Sequence, residues 1–177
     1  MDLAYFPLRL DQVPAEIEFI ERDAGETFEA AGLEVTPHEL NHPIVTFGYR
    51  VEEAGRALVF ATDNELAPSA TINGNGEAAA RDALVRWCGG AQLLVHDAQY
   101  SPEEYRTHVG WGHTSYGEAL TLAAAAGVEQ LAFFHHDPMH SDADIDGLAE
   151  DALGRHQQAG GRRVSAFPAA EDQEVTI

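Results

Sequence analysis

Two short apolar runs, Leu93-Leu94-Val95 and Leu131-Ala132-Phe133-Phe134, each break off into a polar cluster: His96-Asp97 after the first, His135-His136-Asp137 after the second. This pattern constrains the fold more than any other feature of the chain. A strand apolar on successive residues is buried on both faces, so its polar groups reach solvent only at its end. In open sheets flanked by helices, the carboxyl ends of such strands line the crevice where ligands bind. Between the two runs lies Gly110-Trp111-Gly112-His113-Thr114-Ser115, a loop with a glycine on each side of its tryptophan and a third histidine. The glycines predict a loop that moves until a ligand arrives, or else one that Trp111 holds by packing into the core.

The remainder of the chain supplies the sheet that such strands need. Residues 1–16 contain Pro7 and Pro14 and read as an extended lead-in, and Ile17 to Ile20 alternates loosely enough for a short strand. Glu26 to Ala30 and Leu33 to Thr36 form a hairpin around Ala31-Gly32, and Thr46 to Val51 pairs with Ala57 to Thr62 across a turn holding Gly55. The second of these strands ends in Asp63. Pro68 to Gly76 is a polar loop, and Glu77 to Trp87 has helical spacing closed by Gly89-Gly90. Ser101-Pro102-Glu103-Glu104 starts a short helix. Ser115-Tyr116-Gly117-Glu118 reads as a capping box for a helix that Gly127 stops. Leu131 to His135 is a strand, Asp144 to Gln158 a helix, and Arg163 to Phe167 a last strand. Hairpins first and strand-helix alternation after predict an α+β fold with a mixed sheet and flanking helices.

No linker divides the 177 residues, so residues 1–177 are read as a single domain. The single cysteine, Cys88, excludes an internal disulfide and reads as a small buried hydrophobe. No apolar run is long enough for a membrane span, and a cytoplasmic location is expected. The net charge is −20, and all ten basic residues are arginine. Such a surface repels phosphate backbones at long range, which disfavours nucleic acid as a partner.

Three motif matches fail on their chemistry. Asp142, Asp144 and Asp146 mimic half a calcium loop, but the twelfth position is Leu153 where a glutamate is needed. Gly74-Asn75-Gly76 lacks the preceding strand and third glycine of a dinucleotide fingerprint, and Glu103-Glu104 suits a solvated helix face. His38, His108, His140 and His156 stand singly and read as surface histidines. His42, Asp63, Asp97, His113 and His135 instead sit at strand ends or on a glycine-flanked loop. Imidazole with carboxylate is what zinc, manganese or iron takes up. Spacing alone leaves a metal site and a scattered set of satisfied polar groups equally open.

The same residues resemble the C-terminal half of a metallo-β-lactamase-fold hydrolase, in the branch that includes ribonuclease Z and related phosphodiesterases. Asn41-His42-Pro43 through Gly48-Tyr49-Arg50 is similar to that branch's H…GYR strand. Leu58 to Asp63 is similar to its strand ending in a metal-bridging aspartate. Leu93 to Tyr100 resembles its LLIHEATF segment, Gly112-His113-Thr114-Ser115 its GHST loop, and Leu131 to Pro138 its final LxLTHxxP strand. The resemblance spans about Phe28 to Ala149. It implies an αββα sandwich of which this chain holds largely the C-terminal half, with His42 on a first metal, Asp63 bridging and His135 on a second. Asp97 and His113 would form the proton-handling pair, and His136, on the opposite face of its strand, is the weaker ligand candidate. Aspartate at Asp97 departs from the family's glutamate and shortens its reach. The family's H-x-H-x-D-H motif is absent from the sequence.

The resemblance implies a Zn2+, Mn2+ or Fe2+ hydrolase acting on a phosphodiester or small ester, and the acidic chain without a basic arm favours a small substrate, such as a cyclic nucleotide, over tRNA. Without H-x-H-x-D-H the chain is expected to hold at most one metal weakly, and to be weak or inactive alone. A non-catalytic half-domain for assembly or regulation and a single-metal module remain the alternatives. A lone C-terminal half would also leave an apolar sheet face around Leu93–Val95 and Leu131–Phe133 short of cover. Several hundred Å² of open apolar surface costs on the order of 10 kcal/mol. A second copy, a separately supplied N-terminal half or Leu3, Tyr5, Phe6 and Leu8 would have to cover it, and pairing of identical edges makes a homodimer the expectation.

Overall fold

In the computed structural model, which describes residues 14–66 and 75–177, the strands and helices alternate much as their apolar patterns require. They are β1 (Phe28–Ala30), β2 (Leu33–Glu39), β3 (Phe47–Glu53), β4 (Arg56–Ala61), α1 (Asn75–Cys88), β5 (Leu93–Asp97), α2 (Pro102–Tyr105), α3 (Tyr116–Ala126), β6 (Gln130–Phe134), α4 (Asp142–Gln158) and β7 (Ser165–Pro168). All seven strands join one sheet in sequence order. The first four pair antiparallel through hairpins, and β4 through β7 run parallel with a helical crossover between successive strands. The tight β3–β4 turn is made by Ala54 and Gly55, both at positive φ. The arrangement is α+β, with a mixed sheet and flanking helices.

Alternate residues of the parallel strands build the core. Val59, Ala61, Leu94, Leu131 and Phe133 cluster with Leu84 and Cys88 of α1, Leu120 and Ala123 of α3, and Ala149 and Ala152 of α4. Each fully buried Leu or Phe stabilises the fold by about 1.5–3 kcal/mol. Cys88 is fully buried, as its sequence context predicts, and burial pushes its thiol up to about 12. The opposite sheet face is less covered by the described residues: Tyr49, Phe60 and Phe134 are 43%, 39% and 37% exposed, with the two Phe rings 5.7 Å apart. Leu131 and Phe133 therefore face the helices, contrary to the expectation that they lie on the open side. The open side carries the residues one step out of phase with them.

Other expectations need local correction. Ile17 to Ile20 forms no strand, and Phe19 and Ile20 are largely exposed, because no neighbouring strand pairs with them. Ser115 does precede α3, but its side chain makes no capping bond, and Glu118 pairs instead with Arg81 at 3.0 Å. Full capping boxes form at Ser101–Glu104 and Ser141–Asp144, which places Asp144 in a helix start. The N-terminal lead-in through Val13, with Leu3, Tyr5, Phe6 and Leu8, and most of the Pro68–Gly76 loop lie outside the described residues. No helix among the described residues is long and apolar enough to cross a membrane.

Candidate active site at the strand ends

Parallel pairing of β4, β5 and β6 brings three polar strand ends to one edge of the sheet. Asp63 and His135, each following its strand, take positive φ values of 54° and 57°. Few non-glycine residues adopt this conformation, and it turns the chain sharply just where a strand leaves the core. The histidine-bearing loops converge on the same edge. The His113 ring stacks on His135 with centroids 4.6 Å apart and meets His42 edge-on at 5.5 Å.

Burial divides the site into two parts. Asp97 is completely buried, and its carboxylate accepts from His113 Nδ1 at 2.7 Å, Thr114 N at 2.8 Å and Gln99 N at 3.3 Å. The Asp97 bond raises the His113 pKa above its usual value, partly opposed by burial, and it leaves Nε2 as the ring nitrogen available to the cleft. Aspartate therefore reaches His113 despite being shorter than glutamate. His42 turns Nδ1 back into its own loop, 3.2 Å from Thr46 Oγ1 and 3.3 Å from Ile44 N, so Nε2 is its free nitrogen as well. Asp63 and His135 are about one-third exposed, with Asp63 Oδ1 3.7 Å from His135 Nε2.

Two overlapping donor groups follow from these positions. One oxygen or nitrogen from each of His42, Asp63 and His113 lies within 4.8 Å of the others, and the same holds for Asp97, His113 and His135. Imidazole nitrogen and carboxylate oxygen at this spacing fit a zinc-, manganese- or iron-class ion. His136 is placed differently: Nδ1 is 3.0 Å from the Tyr116 hydroxyl, Nε2 is 3.2 Å from the Ala169 carbonyl, and burial lowers its pKa. Both its nitrogens are engaged away from the donor groups.

Several polar residues that support the site have no conspicuous sequence signature. Asn64 and His96 are buried and bonded to each other at 3.0 Å, and burial holds the imidazole pKa down. Asn64 Oδ1 accepts from Asn41 N at 2.9 Å, and its carbonyl accepts from the Thr114 hydroxyl. Glu65, 9% exposed, accepts from Gly110 N, Gly112 N and the Tyr105 hydroxyl. The one legible trace was the polar triplet Asp63-Asn64-Glu65 following an apolar strand. Trp111 does not pack into the core; it is 60% exposed.

The four histidines read as surface groups are partnered instead. His38 stacks on Trp87 at 4.9 Å, His108 packs between Tyr100 and Trp111, His140 bonds Glu104 at 2.9 Å and His156 bonds the Arg162 carbonyl at 2.9 Å. Their partners come from distant segments or a local turn, which single-residue context cannot reveal.

The β-lactamase superfamily domain matches residues 4–136. Ribonuclease Z of Brevibacillus brevis is 34% identical over 106 residues, covering 60% of this chain and 29% of that protein. Ribonuclease Z of Ignicoccus hospitalis is 29% identical over 96% of this chain and 64% of its own length. The chain thus spans less than two thirds of these curated relatives. Among solved structures, the metallo-β-lactamase fold protein YhfI from Bacillus subtilis superposes with a TM-score of 0.64 at 16% identity, covering 85% of this chain and 52% of that one.

Proposed function

The chain belongs to the β-lactamase superfamily, in the metallo-β-lactamase-fold branch with ribonuclease Z and related phosphodiesterases, and from that premise we propose that it hydrolyses a phosphodiester or related small ester with the help of bound divalent metal. The observation that carries the reading is the buried Asp97 bonded at 2.7 Å to His113, beside the donor atoms of His42, Asp63 and His135. His42 would hold a first ion, Asp63 would bridge and His135 would hold a second. When bound, the metal supplies Lewis-acid polarisation and a water more acidic than bulk.

The chain's own residues do the remaining work. Asp97 fixes the His113 tautomer and holds its ring toward the cleft. A raised pKa keeps the ring protonated further toward neutral pH, so Nε2–H can protonate the departing oxygen. With Asp97 and His113 kept for proton handling, the two donor groups retain only His42, Asp63 and His135 between two ions, below the three protein ligands usual for each zinc, so we place metal occupancy at no more than one weakly held ion per chain, with low turnover.

A small diester is the preferred substrate because a chain of net charge −20 without lysine repels an RNA backbone. RNA is the second reading, favoured by the relatives' name of ribonuclease Z. Self-association through the face of Tyr49, Phe60 and Phe134 completes the proposal. Hydrolysis of bis(4-nitrophenyl) phosphate supplied with Zn2+ or Mn2+ tests it. Turnover that a chelator and His113→Ala both abolish supports the reading, and turnover indifferent to the chelator overturns it.

A further inference from the structure

We propose that Glu65 is a positioning residue, a buried carboxylate clamp that fixes the Gly110–Gly112 loop and so sets where His113 stands. The inference rests on the assignment of His113 to proton handling for its functional meaning, but not for its geometry.

A carboxylate is an acceptor only, and the three groups that meet the Glu65 side chain are all donors. Oε1 takes the Gly110 amide at 2.8 Å and the Tyr105 hydroxyl at 2.6 Å, while Oε2 takes the Gly112 amide at 2.9 Å. Both amides flank Trp111, so the two oxygens straddle that residue and leave its ring outside the core. Gly110 and Gly112 stand at φ of 84° and 92°, where side chains are strained. A Cβ on Gly112 would lie 2.1 Å from His42 Cδ2, so only glycine lets the loop approach that ring so closely. The main chain of Glu65 holds the other side of the cleft, since its amide donates to the Asn41 carbonyl at 2.8 Å and its carbonyl accepts from Asn41 Nδ2 at 3.0 Å. One residue thus joins the loop preceding His42 to the loop preceding His113.

Substitution by glutamine keeps the shape and replaces one acceptor with a donor, which must face at least one of the two amides. Hydrogen exchange by NMR on Glu65→Gln, on Glu65→Ala and on a Tyr105→Phe control tests the clamp, with the downfield Nδ1 proton of His113 as a second signature. Exchange at Gly112, Gly110 or both should quicken about tenfold or more in Glu65→Gln, and the His113 Nδ1 proton should broaden or vanish, while β5 and β6 amides stay protected. Tyr105→Phe should leave both amides and that proton unchanged. If Glu65→Ala fails to fold, Glu65→Gln decides alone. Unchanged glycine exchange together with an intact His113 Nδ1 signal would overturn the proposal. Because neither signature needs turnover, absence of diester hydrolysis in every form would remove the functional reading and still leave the clamp decided.

Discussion

Asp63 and Asp97 are the same side chain at the ends of neighbouring parallel strands, and the protein treats them in opposite ways. Asp97 is completely buried and accepts from three donors, whereas Asp63 is about one-third exposed, sits at positive φ and meets His135 at 3.7 Å. A buried carboxylate is tolerable only when its lone pairs are satisfied, so the protein itself has organised Asp97. An exposed carboxylate pays no such desolvation penalty and keeps ligand capacity in reserve. One half of the cleft is therefore preorganised, as the proposed proton-handling pair requires, and the other keeps the partly exposed carboxylate that the proposed cation site requires.

Substitution should separate the two halves. Asp97→Ala strands the Thr114 amide and His113 Nδ1 in a buried setting and should destabilise the protein by about 2–5 kcal/mol in urea unfolding. Asp63→Asn, which keeps a residue tolerant of positive φ, should shift stability by no more than about 0.5 kcal/mol. Equal losses at the two positions would erase the distinction.

Metal should reverse the ranking. Added Zn2+ at about 100 times its Kd raises the stability of the wild type by about 2.7 kcal/mol, read as a higher Tm, and Asp63→Ala should show almost none of that rise. Asp97→Asn, outside the proposed ligand set, should keep most of that rise.

The smallest effect is one of pH. The folded pKa of His113 is raised above its unfolded value, chiefly by the Asp97 hydrogen bond. The stability this contributes is fully present below the ordinary histidine pKa of about 6.5 and is lost as pH rises through the higher folded value. Unfolding measured from pH 6 upward should therefore show a decline in the wild type that Asp97→Asn lacks.

The contrast between the aspartates was only half legible in the sequence. Asp63, Asp97 and His135 could be located because apolar strands stop at them, and His113 because glycines surround it. Their burial could not be read, since it depends on which loop closes over which strand end. Glu65 escaped notice because its partners Gly110 and Gly112 lie 45 and 47 residues away along the chain. The same holds for His140, whose partner Glu104 lies 36 residues away, whereas His108 is held by the Glu104 carbonyl only four residues back, in the turn that ends α2. Leu131 and Phe133 were assigned to the wrong sheet face because a strand apolar on every residue hides the phase of its alternation. The Ser115 motif had the right letters, but Arg81 competes for Glu118.

Metal content per chain after exhaustive dialysis, measured by elemental analysis on the wild type and on Asp63→Ala, tests most directly whether the exposed half of the cleft is a cation site. The expectation is a substoichiometric ion, no more than one per chain, in the wild type and none in Asp63→Ala. Two tightly held ions per wild-type chain, or equal metal in the two proteins, would contradict it.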